Sequence, residues 1–287
     1  MATLDVGGVE LYYTDVGHGP PVVLVHGIPT DYRAWNSTVS ALAGDFRVVA
    51  YSRRYAYPNL RSGDVTDSTI ENNATDLERL IARLDLGRVH LVGHSYGGFV
   101  AAYLASQQPT LLRSLTLVEP AIASLLLRDP KSGGEKLELL FRHPRIALSA
   151  QRYLKRSNEP ALAALAQNDV DTAVRLNLDG IEDRPGVLNG LPAEVRAMML
   201  DNARTVKETG LPYPPLTRHE LGGIRRPTLV VRGSTSALWL RGIAEITGAS
   251  IPLARAVAIP SSGHFPHLAN PAAFNGELRQ FLLAARA

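Results

Sequence analysis

Four short apolar runs stand out between residues 21 and 119: PVVLVHG (21–27), FRVVAYS (46–52), VHLVGHS (89–95) and SLTLVE (114–119). They are continuous rather than alternating, which suits strands buried on both faces of a parallel sheet. VELYY (9–13) precedes them, and PTLVVRG (227–233) and ARAVAIP (254–260) follow much later. Helix-forming stretches separate the runs. The clearest is STIENNATDLERLIARLDLG (68–87), where Ile70, Ala74, Leu77, Ile81 and Leu84 share one face and Gly87 stops the helix. Strands alternating with helices predict βαβ crossovers and an α/β fold.

Between residues 121 and 222 no strand signal appears. The pattern predicts helices around 135–156, 160–178 and 192–209, broken by Pro, Gly and Asn. A closing amphipathic helix is expected over 271–287, and no internal repeat is visible. The expected organisation is one α/β core, residues 1–120 and 223–287, with a helical insertion at 121–222.

Composition narrows the function classes. The chain has 287 residues, 45% of them hydrophobic and none of them cysteine. Disulfides, thiolate metal sites and a cysteine nucleophile are therefore excluded. No apolar run reaches the roughly 18 residues of a membrane span, and no basic-then-apolar leader opens the chain. A cytoplasmic protein acting as monomer or homodimer is expected. The net charge of +3 comes from scattered arginines, so no nucleic-acid partner and no membrane partner is expected. Neither a dinucleotide fingerprint nor a P-loop occurs, and no histidine–carboxylate spacing suggests a metal. No cofactor is expected.

LVGHSYGG (91–98) carries the strongest local signal. It reads G-x-S-x-G at Gly93, Ser95 and Gly97, between an expected strand and an expected helix at 98–107. Such a turn strains the central residue and exposes its side chain near a helix N-terminus, where negative charge is favoured. Small neighbours let the backbones approach closely. Ser95 is thus a candidate nucleophile. Asp or Glu there would have pointed to epoxide-hydrolase or dehalogenase chemistry through an ester intermediate.

With HGIP (26–29) after a strand, GHSYG (93–97) and PSSGHFPHLANP (260–271), the chain resembles α/β-hydrolase-fold proteins over nearly its whole length. The 121–222 insertion stands where that family has its helical cap. The resemblance implies His264 as general base, with His267 as the competing histidine of the same loop. It implies an oxyanion hole made by the backbone N–H groups of Ile28 and Tyr96. His26, Tyr57, Trp239 and His267 are candidate substrate-lining residues. The Tyr- and Arg-rich segment YSRRYAYPN (51–59) also reads as a loop in which Arg stacks on Tyr.

The triad acid is the open point. Relatives often place it in the loop after the strand PTLVVRG, yet GSTSALWLRG (233–242) has no Asp or Glu, and Ser236 stands near the expected position. The family's other acid position is the end of the strand after the nucleophile helix, where Glu119 lies. Two readings stand: a Ser95–His264–Glu119 triad, or a Ser–His dyad helped by Ser236 or water. The resemblance implies a serine hydrolase acting on a small apolar ester or lactone through an acyl-enzyme. Alternatives are carbon–carbon bond or amide hydrolysis, a non-hydrolytic reaction, and a ligand-binding receptor that retains the triad.

Overall fold

The computed structural model describes residues 2–59, 65–129 and 131–285. Its described strands form one eight-stranded sheet. They are β1 (Ala2–Asp5), β2 (Glu10–Val16), β3 (Pro21–Val25), β4 (Arg47–Tyr51), β5 (Val89–His94), β6 (Leu112–Val118), β7 (Thr228–Gly233) and β8 (Ala254–Ile259). The spatial order is β1-β2-β4-β3-β5-β6-β7-β8. β2 runs antiparallel to β1 and β4, and the remaining pairs are parallel.

Burial follows the continuous apolar runs. Every residue of β5 is buried, and β3, β6 and β7 are buried at all but one position each. β8 differs from its expectation. It is the sheet edge and mostly solvent-facing, and Arg255 on it pairs with Glu277 at 3.1 Å. β1 has no counterpart among the expected strands. It is four residues long and largely exposed, paired with β2 and packed on the core only through Leu4.

Before the insertion the helices are α1 (Asn36–Leu42), α2 (Ile70–Arg83) and α3 (Tyr96–Gln107). In α2 the Thr69 side chain accepts from the Asn72 amide at the N-terminus, and Ile70, Ala74, Leu77 and Ile81 are buried, as their spacing requires. α2 stops at Arg83, and Gly87 sits in the turn leading to β5 with φ 61°.

Between β6 and β7 the described residues hold only helices and turns. They are α4 (Gly133–Arg142), α5 (Pro144–Tyr153), α6 (Glu159–Ala166), α7 (Val170–Ile181), α8 (Ala193–Asp201) and α9 (Arg218–Gly222). Two expected helices divide. The stretch around 135–156 breaks at His143, where Pro144 opens a new helix. The 160–178 stretch breaks at Asn168 and Asp169, with Asn168 at φ 60°. The 192–209 helix ends at Asp201 and continues as tight 3₁₀ turns through Gly210. The final helices are α10 (Leu238–Ser250), α11 (Pro266–Ala269) and α12 (Pro271–Ala284). The expected closing helix thus ends at Ala284, and residues 286–287 of that expectation lie outside the described residues.

The order places β4 on one side of β3 and β5 on the other. The chain reverses its winding there, and α/β sheets form their crevices outside the strand carboxyl ends at such a point. The loops leaving β3, β5, β6, β7 and β8 all emerge on that side. They carry HGIP, Ser95, Glu119, Ser236 and His264 respectively.

Candidate active site

Ser95 sits between β5 and α3 with φ 53° and ψ −117°. No L-residue adopts this backbone without strain, so the surroundings must impose it. The Ser95 amide donates to Val118 O at 2.9 Å, and Ser95 O accepts from the Ala121 amide at 3.1 Å. A Cβ at Gly97 would collide with the backbone oxygens of His26 and Val25. Only glycine lets α3 begin this close to the end of β3.

The loop after β3 is pinned by His26. Its Nε2 accepts from the Arg53 amide at 2.9 Å, so Nδ1 carries the proton and donates to Gly27 O at 2.8 Å. Arg53 Nε also donates to His26 O at 3.0 Å. Ile28 follows in this loop. Tyr96 is the first residue of α3, so its N–H has no acceptor within the helix.

His264 and Glu119 meet. His264 Nδ1 lies 3.3 Å from Glu119 Oε2, with both side chains buried. With Nδ1–H directed at the carboxylate, Nε2 holds the lone pair. Among the described residues Nε2 has no hydrogen-bond partner, and His264 lines the same cavity as Ser95. His94 Nε2 donates to His264 O at 2.7 Å and fixes the loop from beneath. Burial pushes the imidazole down to about 3, so it is neutral at physiological pH.

Glu119 follows β6 with φ 47°. Its amide donates to Val231 O at 2.7 Å. Its Oε1 accepts from the Gly233 amide at 2.6 Å and from Ser236 Oγ at 2.5 Å. Burial pushes its carboxyl up to about 7, opposed by the Ser236 and Gly233 hydrogen bonds and the charges of Arg232 and Arg241. Ser236, in the loop that lacks any acid, therefore touches the acid supplied by the neighbouring strand.

Ser95, Ile28, Tyr96 and His264 border a cavity of about 320 Å³. Phe99, Trp239, Leu240 and Ile243 supply core-side apolar walls, and Leu126, Leu139, Tyr153 and Ile181 close it from the helical segment. Trp239 stacks on Tyr153, with ring centroids 4.8 Å apart and an interplanar angle of 23°.

Residues 22–277 match the model of the alpha/beta hydrolase family. The chain belongs to that family. A soluble epoxide hydrolase from Corynebacterium sp. (strain C12) is 33% identical over 119 residues, 40% of this chain and 39% of that protein. The match thus spans less than half the length of that relative. A pimeloyl-(acyl-carrier protein) methyl ester esterase from Nitrosomonas europaea is 26% identical over 267 residues, 92% of this chain and 96% of that protein. The structure of a thermophilic esterase from Thermogutta terrifontis is similar with TM-score 0.70 and 25% identity, covering 99% of this chain and 97% of that one.

Within this α/β-hydrolase, three sequence candidates for lining do not border the cavity. His26 is fully buried and spends both ring nitrogens on backbone. His267 is buried against Trp35, ring centroids 4.5 Å apart. Tyr57 is 46% exposed, under the Arg33 guanidinium at 4.4 Å. The arginines of YSRRY prove to be structural partners as well as stacking groups. Arg53 lies 4.7 Å over the Tyr96 ring, and its Nη2 donates to Glu208 Oε2 at 2.8 Å, with both side chains fully buried.

Sequence reasoning missed Glu208, which borders the cavity while accepting from Arg53 and from Ser68 Oγ at 2.6 Å. It also missed Glu182, whose Oε1 accepts from the His264 amide at 2.9 Å. Each lies in the helical segment, where nothing local marks a partner in the sheet loops. Among the described residues no helix is long and apolar enough to cross a membrane.

Proposed function

We propose that this α/β-hydrolase is a cofactor-independent serine hydrolase that cleaves a small, largely apolar carboxylic ester or lactone. The observation that carries the reading is the 3.3 Å contact of His264 Nδ1 with Glu119 Oε2, with Nε2 left unengaged beside the cavity that Ser95 borders.

In this reading Ser95 Oγ attacks the carbonyl carbon while His264 Nε2 takes its proton. Glu119 holds the imidazole tautomer and stabilises the imidazolium. The amides of Ile28 and Tyr96 receive the oxyanion, the first from a pinned loop and the second from a helix start. His264 returns the proton to the departing alcohol oxygen, leaving an acyl group on Ser95. Water then repeats the sequence and frees the acid.

The substrate class follows from the walls. The lining is mostly aromatic and aliphatic, with Asn158 and Thr209 as uncharged polar members, and the Glu208 charge is met by Arg53, so little in the cavity favours a charged ligand. Residues 121–222 act as a cap over a core of residues 1–120 and 223–287. The esterase named above from Nitrosomonas europaea is consistent with ester chemistry. Epoxide opening through an ester intermediate calls for a carboxylate nucleophile, and serine stands at 95.

A fluorophosphonate probe tests the reading. Stoichiometric labelling at Ser95, lost in Ser95→Ala, together with turnover on a panel of apolar esters and lactones, is expected. Undiminished turnover by Ser95→Ala would refute it.

A further inference from the structure

We propose that Glu182 is a positioning residue, through which the helical segment holds the backbone of His264 in its working place. The inference rests on the reading of His264 as the base for Ser95.

Glu182 directly follows α7, whose last residue, Ile181, borders the cavity. Its Oε1 accepts from the His264 amide at 2.9 Å, across 82 residues of chain. Burial pushes this carboxyl up, opposed first by the His264 amide and then by the charge of Arg184. The approach is close enough to require a missing side chain. A Cβ on Gly263 would collide with Glu182 Oε2 and lie 2.7 Å from its Cδ. Gly263 is therefore the slot into which the carboxylate fits, and the next residue, His264, supplies its backbone donor.

His264 is then held at three points. Glu119 takes Nδ1, His94 donates to the carbonyl oxygen, and Glu182 accepts from the amide. The first two come from the core and the third from the helical segment. A shift of that segment moves both the cavity wall at Ile181 and the base. Of these three contacts, the one with Glu182 makes the histidine's position depend on closure over the substrate.

The test measures kcat and KM with p-nitrophenyl butyrate, and the rate of fluorophosphonate labelling, for four variants beside the wild type. Misplacing a catalytic group by about 1 Å costs on the order of 100-fold. Glu182→Ala should lower kcat and the labelling rate ~10- to 100-fold, with KM within about threefold. Glu182→Gln keeps an acceptor oxygen and should recover most of that loss. Gly263→Ala evicts the carboxylate and should mimic Glu182→Ala. The double variant should be no worse than the poorer single, because both remove one contact.

Wild-type kcat and labelling in Glu182→Ala and Gly263→Ala would overturn the inference, as would additive losses or equal losses in the Gln and Ala variants. If Glu182→Ala does not fold, Glu182→Gln and Gly263→Ala decide the question in the same way. Ser95→Ala runs in parallel. If it retains turnover, the hydrolase reading fails. If it is inactive while the Glu182 and Gly263 variants match wild type, only the positioning role fails.

Discussion

Ser236 Oγ lies 2.5 Å from Glu119 Oε1, so a hydroxyl from the loop after β7 serves a carboxylate from the end of β6. The two residues belong to adjacent parallel strands, with Val118 paired to Val231. The serine occupies the loop in which relatives often carry the acid itself, and Glu119 reaches His264 from one strand over. Glu119→Gln should lower kcat by about 10⁴-fold while circular dichroism stays unchanged, since an amide at this place favours the wrong imidazole tautomer. Near-wild-type kcat in Glu119→Gln would favour the dyad.

In the proposed triad, Glu119 and His264 set the pH dependence. Burial pushes Glu119 up to about 7 and His264 down to about 3. In the proposed mechanism, activity needs the carboxylate and the neutral imidazole together. The acid limb of kcat/KM should therefore fall near pH 7, with the protons belonging to the pair rather than to either group alone. Removing the Ser236 donor leaves the carboxylate less stabilised, so Ser236→Ala should move that limb to higher pH. Activity at about pH 9 should change little and activity at about pH 6.5 should drop. A limb that stays still or moves down contradicts the assignment.

Gly97→Ala should damage both fold and activity. The new Cβ would meet two backbone oxygens, His26 O and Val25 O, which cannot rotate away. Overpacking of this kind costs typically about 1–3 kcal/mol. Urea unfolding should register that loss. The rate of fluorophosphonate labelling should fall as well, because the contact sets Ser95 against the loop that carries Ile28.

Breaking the buried pair of Arg53 and Glu208 should be costly. Removing one member leaves the other charge buried without its partner, a loss of roughly 3–5 kcal/mol. Arg53→Met or Glu208→Leu alone should each lower the urea midpoint strongly. The double variant should lose less than the sum of the singles, because no stranded charge remains. Strict additivity would mean that the pair is not coupled.

His267 governs part of the acid stability. Burial, with the nearby His94 and His264, pushes its pKa well below the ordinary value. A histidine depressed in the folded state contributes stability that is fully present above the unfolded value of about 6.5 and is lost as pH falls below it. His267→Phe removes that titration and keeps an aromatic ring against Trp35. Its stability relative to wild type should therefore improve between about pH 8 and pH 5. Equal differences in urea midpoint at both pH values would show that His267 does not titrate on unfolding.

Much of the fold was legible because its signals are local. Continuous apolar runs mark β3 to β7, the 3.6-residue spacing marks α2, and G-x-S-x-G between strand and helix marks the turn at Ser95. Pro144 and Asn168 explain why two expected helices divide, since each ends or opens a helix through its own backbone preference. β1 is not marked in the sequence because its four residues carry one core-packed side chain, Leu4, too little to make a periodic pattern. His26, Tyr57 and His267 look like cavity residues by motif or proximity, yet each is engaged by backbone, an arginine or an aromatic ring.

The sequence by itself determined the strand and helix periods, the absence of any acid in residues 233–242, and the candidates Ser95, His264 and Glu119. Tertiary structure alone decided which groups stand beside them. Ser236 and Gly233 on Glu119, Glu182 on the His264 amide, and Arg53 on Glu208 are contacts across 82 to 155 residues of chain. A hydrogen bond needs a partner within about 3 Å and at the right angle. That condition is met only after the sheet has brought its strand ends together and the helical segment has closed over them.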